Sequence, residues 1–165
     1  MTKPLAAALL FPVLLLCGCA LSPVQPQSLN LIYKPDGTVK DSVYAVEQGR
    51  AIFCAVLAVD GHAVVNSIDE SIRASAGMGN VLLVRRLEHT VAPGRHSLSI
   101  GCRSVTALPV VDVFNTFKAK GVVELSVVKG RSYLIKGRFQ GDVTSAWIED
   151  EGSGAAVTAD VSGAL

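Results

Sequence analysis

The chain has 165 residues, of which 50% are hydrophobic and 18% charged, and its formal net charge is +1. That length suits one domain, and the apolar content is enough for a packed core. The charge balance excludes the basic excess of a nucleic-acid binder and gives no ground for an acidic substrate. Mean hydropathy is +0.43, high for a soluble domain, and part of it comes from the amino terminus.

There, Lys3 supplies a positive start, Leu5 to Leu16 an apolar run, and small Gly18 stands before Cys19. This is the layout of an export signal. The run is preceded by Pro4 and interrupted by Pro12, and it is shorter than the ~20 residues a permanent spanning helix needs. Leu16-Cys17-Gly18-Cys19 resembles a bacterial lipobox, with an apolar residue at −3, a small one at −1, and then the cysteine to be modified. The resemblance implies cleavage before Cys19, a diacylglycerol on its thiol and an acyl chain on the new amino group. Cys17 stands at −2, where Ser, Ala or Thr is more usual; choosing it as the anchor would put bulky Leu16 at −1. Ala20 rather than Asp follows Cys19, which in Gram-negative lipoproteins implies the outer membrane. Several acyl chains, at ~0.8 kcal/mol per buried methylene, would hold the protein durably. Without Lys3 the remaining charges balance, so the anchor needs no electrostatic help.

The expected organisation is a signal peptide over 1–18, a lipidated tether over 19–29, a β-domain over 30–157 and a flexible tail over 158–165. Residues 20–29, ALSPVQPQSL, are proline-rich and uncharged, a semi-extended tether. A strand is expected near Leu29 to Tyr33, then a turn at Pro35-Asp36-Gly37. Ala51 to Val59 is apolar on both alternating faces and stops at Asp60-Gly61, which predicts a central strand covered on both sides. Ser67-Ile68-Asp69-Glu70 matches a capping box, predicting one short helix that Gly77 ends. Val81 to Val84, continuing towards Thr90, reads as another strand. After Pro93-Gly94, the stretch His96 to Cys102 alternates, with Leu98, Ile100 and Cys102 on one side. Val110 to Lys118 reads equally as strand or connection. Val123, Leu125 and Val127, then Tyr133, Ile135 and Phe139, then Val143 to Ile148 form a meander broken at Lys129-Gly130 and Gly141-Asp142. A last short strand is expected at Ala155 to Val157. The fold class is therefore all-β, an antiparallel β-sandwich of immunoglobulin-like or transthyretin-like kind with one short helix.

Of the four cysteines, Cys17 leaves with the signal and Cys19 takes the lipid. Cys54 and Cys102 remain, and in an exported domain they read as one disulfide. Two unpaired buried thiols are the alternative; a metal site would need closer spacing and further ligands.

Catalytic signatures are hard to find. His62, His89 and His96 read as turn and strand-start residues; alternatively, His89 and His96 flank one hairpin loop and present two imidazoles. No G-x-S-x-G elbow occurs, and Ser153 lies in a Glu-Gly-Ser-Gly turn. A dyad of Cys54 or Cys102 with His96 conflicts with the disulfide. Asp69/Glu70 and Glu149/Asp150/Glu151 read as helix-start and turn carboxylates rather than a glycosidase pair. Gly77-Met78-Gly79 lacks the Gly-Lys-Ser/Thr of a phosphate loop. Trp147 shares parity with Val143 and reads as core rather than as a sugar platform. Arg85, Arg86, Arg95 and Arg103 read as scattered charge on a solvated face.

Val59-Asp60-Gly61 through Val91-Ala-Pro-Gly-Arg-His-Ser-Leu98 resembles PEGA-type envelope β-domains, in which a V-D-G turn is followed by P-G-x-H-x-L entering a strand. The resemblance implies a non-catalytic β-domain on an envelope lipoprotein; the long insert with its helix departs from that pattern. The expected function is a membrane-anchored periplasmic accessory that binds or braces an envelope protein partner, with no enzyme activity, no cofactor and no nucleic acid. The alternatives are a glycan- or peptidoglycan-binding module and a small envelope hydrolase.

Overall fold

The computed structural model describes residues 36–47, 49–107, 117–140 and 143–164. The expected signal peptide, Cys19, the expected tether, the strand expected at Leu29 to Tyr33, the turn expected at Gly141-Asp142 and all but the end of Val110 to Lys118 lie outside the described residues. Among the described residues no helix is long and apolar enough to cross a membrane.

Among the described residues, two sheets and one helix make the fold. The first sheet has the order β10-β9-β8-β1-β5, from β1 (Gly37–Lys40), β5 (Glu88–Val91), β8 (Ser132–Gln140), β9 (Val143–Asp150) and β10 (Val161–Ala164). The second has the order β2-β3-β6-β7, from β2 (Ser42–Glu47), β3 (Arg50–Val59), β6 (Gly94–Thr106) and β7 (Ala119–Val127), with β4 (His62–Ala63) pairing β3. Among the described residues, pairing is antiparallel except for β1 on β8. The all-β sandwich expectation therefore holds, with one parallel pair that the meander pattern did not announce.

Alternation explains the packing. Leu98, Ile100 and Cys102 of β6, Val123, Leu125 and Val127 of β7, and Tyr133 and Ile135 of β8 are buried between the sheets with Val39, Val56, Ala146 and Ile148. Strand β3 is buried on both faces: Cys54 and Val56 face the first sheet, while Ala51, Phe53 and Ala55 face the helix side with Val105 and Ile68. Residues 51–59 thus form the doubly covered strand that their unbroken apolar run predicts.

The helix α1 (Ser67–Ser75) starts one residue earlier than the capping box implies. Asn66 is the N-cap, and its side-chain oxygen accepts from the Ile68 and Asp69 amides. Ser67 is instead the first helical residue. Its amide donates to Asp41 Oδ2 and its hydroxyl accepts from the Leu87 amide; Glu70 turns to Arg73. Gly77, at φ +80°, lies just past the helix end as expected.

The expected strand at Val81 to Val84 is absent, and the helix explains why. Ser67, Ser71 and Ser75 lie one turn apart along α1, and their hydroxyls accept the amides of Leu87, Arg85 and Leu83, each at 2.8 Å. Four helical residues rise ~6 Å and two extended residues ~6.6 Å, so the two ladders nearly match. The segment is extended and alternating, but it bonds to serine side chains instead of a neighbouring strand.

The tail is not a loose end. Ala156 makes only an isolated bridge with Glu149, whereas β10, at Val161–Ala164, pairs β9 from Ala146 to Val143. The sheet thus extends past 157. Glycines let β10 approach β7: a Cβ on Gly163 would strike the Lys118 carbonyl, and one on Gly121 would stand 2.7 Å from Val161 Cγ1.

Candidate functional site

Cys54 and Cys102 form a disulfide. They face each other across β3 and β6, in register, and both are fully buried. Gly137 of β8 supplies the room: a Cβ there would lie 2.6 Å from Cys54 Sγ and 3.1 Å from Cys102 Sγ. The pair is a core staple, so the Cys-His dyad has no thiol to use.

The histidines are separated. His89 of β5 sets Nε2 at 3.0 Å from Asp41 Oδ1. The Asp41 side chain is fully buried, and its carboxylate also accepts from the Val56 and Ser67 amides. It thereby ties β3, β5 and α1 together at the residue where the chain crosses from β1 to β2. His96 of β6 sets Nδ1 at 2.7 Å from Asp60 Oδ2 and Nε2 at 2.9 Å from the Ala92 carbonyl. Asp60 is a turn residue at φ +50°. The hydrogen bond from His96, then that from the Ser97 amide, holds its carboxyl below the ordinary carboxylate value. The two imidazoles thus serve two different carboxylates rather than one loop site. Among the described residues no group of three His, Cys, Asp or Glu side chains could hold a metal.

The carboxylates near 150 organise a turn. Asp150 Oδ1 accepts from the Gly152 and Ser153 amides and the Ser153 hydroxyl, and Oδ2 accepts from Arg131. The Arg131 hydrogen bond, then the Ser153 amide, holds the Asp150 carboxyl below its usual range. A groove of about 530 Å³ beside it is lined by Arg131, Ser132, Glu151 and Ser153. Ser153 has no histidine partner; its hydroxyl belongs to the turn.

Trp147 is not core. Its neighbours Ala146 and Ile148 are buried, while the indole lies half-buried on the outer face, with Nε1 donating to Glu149 and the Arg138 guanidinium 5.3 Å from the ring centroid. Parity with Val143 gave its alternation but not which side faces the core. No second aromatic ring pairs with it among the described residues.

The chain matches no family model, no curated protein and no solved structure.

Two cations meet one ring on the outer face of the second sheet. Arg103 of β6 and Lys120 of β7 stand 5.5 and 5.2 Å from the centroid of Phe117, next to a cavity of about 270 Å³. Sequence reading placed Arg103 among scattered charges and Phe117 in an ambiguous segment. The one available signal was Gly101 within an otherwise filled strand: a Cβ there would lie 2.7 Å from the Phe117 ring, so the glycine is the seat on which that ring rests.

Proposed function

We propose that this protein is a lipid-anchored lipoprotein of the bacterial envelope, whose β-sandwich is a non-catalytic binding or structural accessory facing the periplasm from the outer membrane. The observation that carries this reading is Leu16-Cys17-Gly18-Cys19 at the end of an apolar run. The Cys54–Cys102 disulfide supports it, because such bonds persist in oxidising compartments and are rare in the cytosol. In this reading acylated Cys19 holds the leaflet and residues 20–29 give reach. Ten residues extend at most ~35 Å, so the protein partner lies near the membrane. A non-catalytic role is supported by His89 and His96, of which His89 Nε2 is engaged with Asp41 and both ring nitrogens of His96 with Asp60 and the Ala92 carbonyl.

The test is Cys19→Ser in cells fed labelled palmitate. The reading expects loss of label and accumulation of unprocessed precursor. Label retained at the wild-type level, with normal processing, would overturn it. The glycan-binding alternative keeps one supporting observation, the outward-facing Trp147, but Arg138 lies over that ring. Retention of the protein on a peptidoglycan column, lost in Trp147→Ala, would favour that alternative.

A further inference from the structure

Helix α1 covers part of the outer face of the second sheet through Ile68, packed with Ala51, Phe53, Ala55 and Val105. Beside it the register places Lys120 opposite Gly101 and Arg103 opposite Phe53, so both cations rise from the same face as the Phe117 ring. Leu57 and Val64 form the apolar wall of the adjoining cavity, and Asn66 and Asp69 stand at the helix start.

Two observations mark this cluster as incomplete. Arg103 Nε is buried and has no hydrogen-bond partner, a rare condition for a guanidinium N–H. Neither Arg103 nor Lys120 meets a carboxylate among the described residues; Arg50, Arg85, Arg86, Lys118 and Arg138 share that condition, but Arg103 and Lys120 converge on one ring beside a cavity. Asp69, the carboxylate on the cavity wall, is bound to Asn66 Nδ2 at 2.9 Å instead. The other unpartnered buried side-chain atom among the described residues, Ser42 Oγ, differs. Its neighbouring lysines, Lys40 and Lys136, are already paired with glutamates.

We propose that Arg103, Lys120 and Phe117 form a binding site for a phosphate ester. A carboxylate presents its acceptor sites in one plane. A tetrahedral phosphate presents oxygens in several directions, enough for the fork and for an ammonium that approaches separately. The ester's organic arm would lie along Phe117 and Leu57. The site stands on this geometry alone and does not depend on the lipid anchor.

The experiment follows backbone amides by NMR in the mature chain carrying Cys19→Ser. The protein is titrated with glycerol 3-phosphate and, separately, with phosphatidylglycerol or phosphatidylcholine vesicles. Glycerol 3-phosphate should shift the amides of Gly101, Arg103 and Lys120. Arg103→Gln and Lys120→Gln should each weaken binding by about tenfold, added salt should weaken it further, and Arg95→Gln should leave it unchanged. Broadening of the same amides by phosphatidylglycerol vesicles alone would also support the site and identify the phosphate as lipid-borne. No perturbation by either ligand would overturn the proposal. So would perturbation undiminished in Lys120→Gln, an exchange at an exposed side chain.

Discussion

Replacing Gly137 by alanine tests whether the disulfide and its facing strand are fitted to one another. The new Cβ would stand 2.6 Å from Cys54 Sγ, 3.1 Å from Cys102 Sγ and 2.9 Å from Phe139 Cζ. Overpacking of one methyl in a tight core costs about 1–3 kcal/mol. Removing a strand glycine returns about 0.5–1 kcal/mol. The net expectation is a loss of roughly 1–2 kcal/mol, or a Tm lower by roughly 4–7 °C for a domain of this size.

The informative comparison places Gly137→Ala in a Cys54→Ala/Cys102→Ala background. That background itself loses about 4 kcal/mol, because the bond closes a loop with a sequence separation of 48. Sucrose in both arms keeps the protein folded during urea titration. With the sulfur atoms gone, Gly137→Ala should become neutral or slightly stabilising; the Phe139 contact persists, but it involves the far end of a ring that can yield. The cycle should therefore show a coupling of about 1–3 kcal/mol. An equal loss in both backgrounds would refute the claim that the disulfide occupies the space above Gly137.

Two further outcomes follow from the polar frame. Ser71→Ala removes the hydroxyl that accepts the Arg85 amide at 2.8 Å, and Ser71 is fully buried. The orphaned amide should cost about 1–3 kcal/mol, and the amides of Leu83 and Arg85 should lose hydrogen-exchange protection while those of β6 keep theirs. Asp150 has a depressed folded-state pKa, so its contribution to stability is fully present above about pH 4 and is lost as the pH falls through the folded value. Asp150→Asn should therefore destabilise at neutral pH and flatten the acid limb of a pH–Tm profile; an unchanged limb would show that the Arg131 and Ser153 bonds are inconsequential.

Strands with a strict period of two were legible before any coordinates, because burial on one face forces that period: β6, β7 and β8 fall where the alternation puts them. So did the pairing of Cys54 with Cys102, which only had to be compatible with inward parity on two strands. What was not legible depends on partners distant in the chain. Strand β1 begins at the last residue of the turn read at Pro35-Asp36-Gly37, and residues 38–40 carry no strand signal of their own. Its partner Tyr133 lies 94 residues beyond Val39, a pairing with no local trace. Val81 to Val84 has strand chemistry, and only the spacing of three serines on a helix decides that it bonds elsewhere. Arg103 and Lys120 read as unrelated charges until the register of β6 with β7 puts them on one ring.

The contrast among polar groups is what singles out that ring. Asp41 takes up two backbone amides and a histidine nitrogen at the sheet crossing, and Asp150 takes up a whole turn. Buried charge in this fold is therefore consumed by its own backbone, as it must be when desolvation is costly. Arg103 departs from the rule, although a carboxylate, Asp69, stands on the same cavity wall. Asn66 Nδ2 donates to that carboxylate while its Oδ1 caps α1. Asn66→Ala frees Asp69. If Arg103 and Lys120 bind a phosphate ester, the liberated carboxylate should compete for them and weaken glycerol 3-phosphate binding several-fold, beyond the ~1 kcal/mol that losing the cap costs the fold. Binding that is unaffected once the freed Asp69 can reach Arg103 would refute this account of why the site is open.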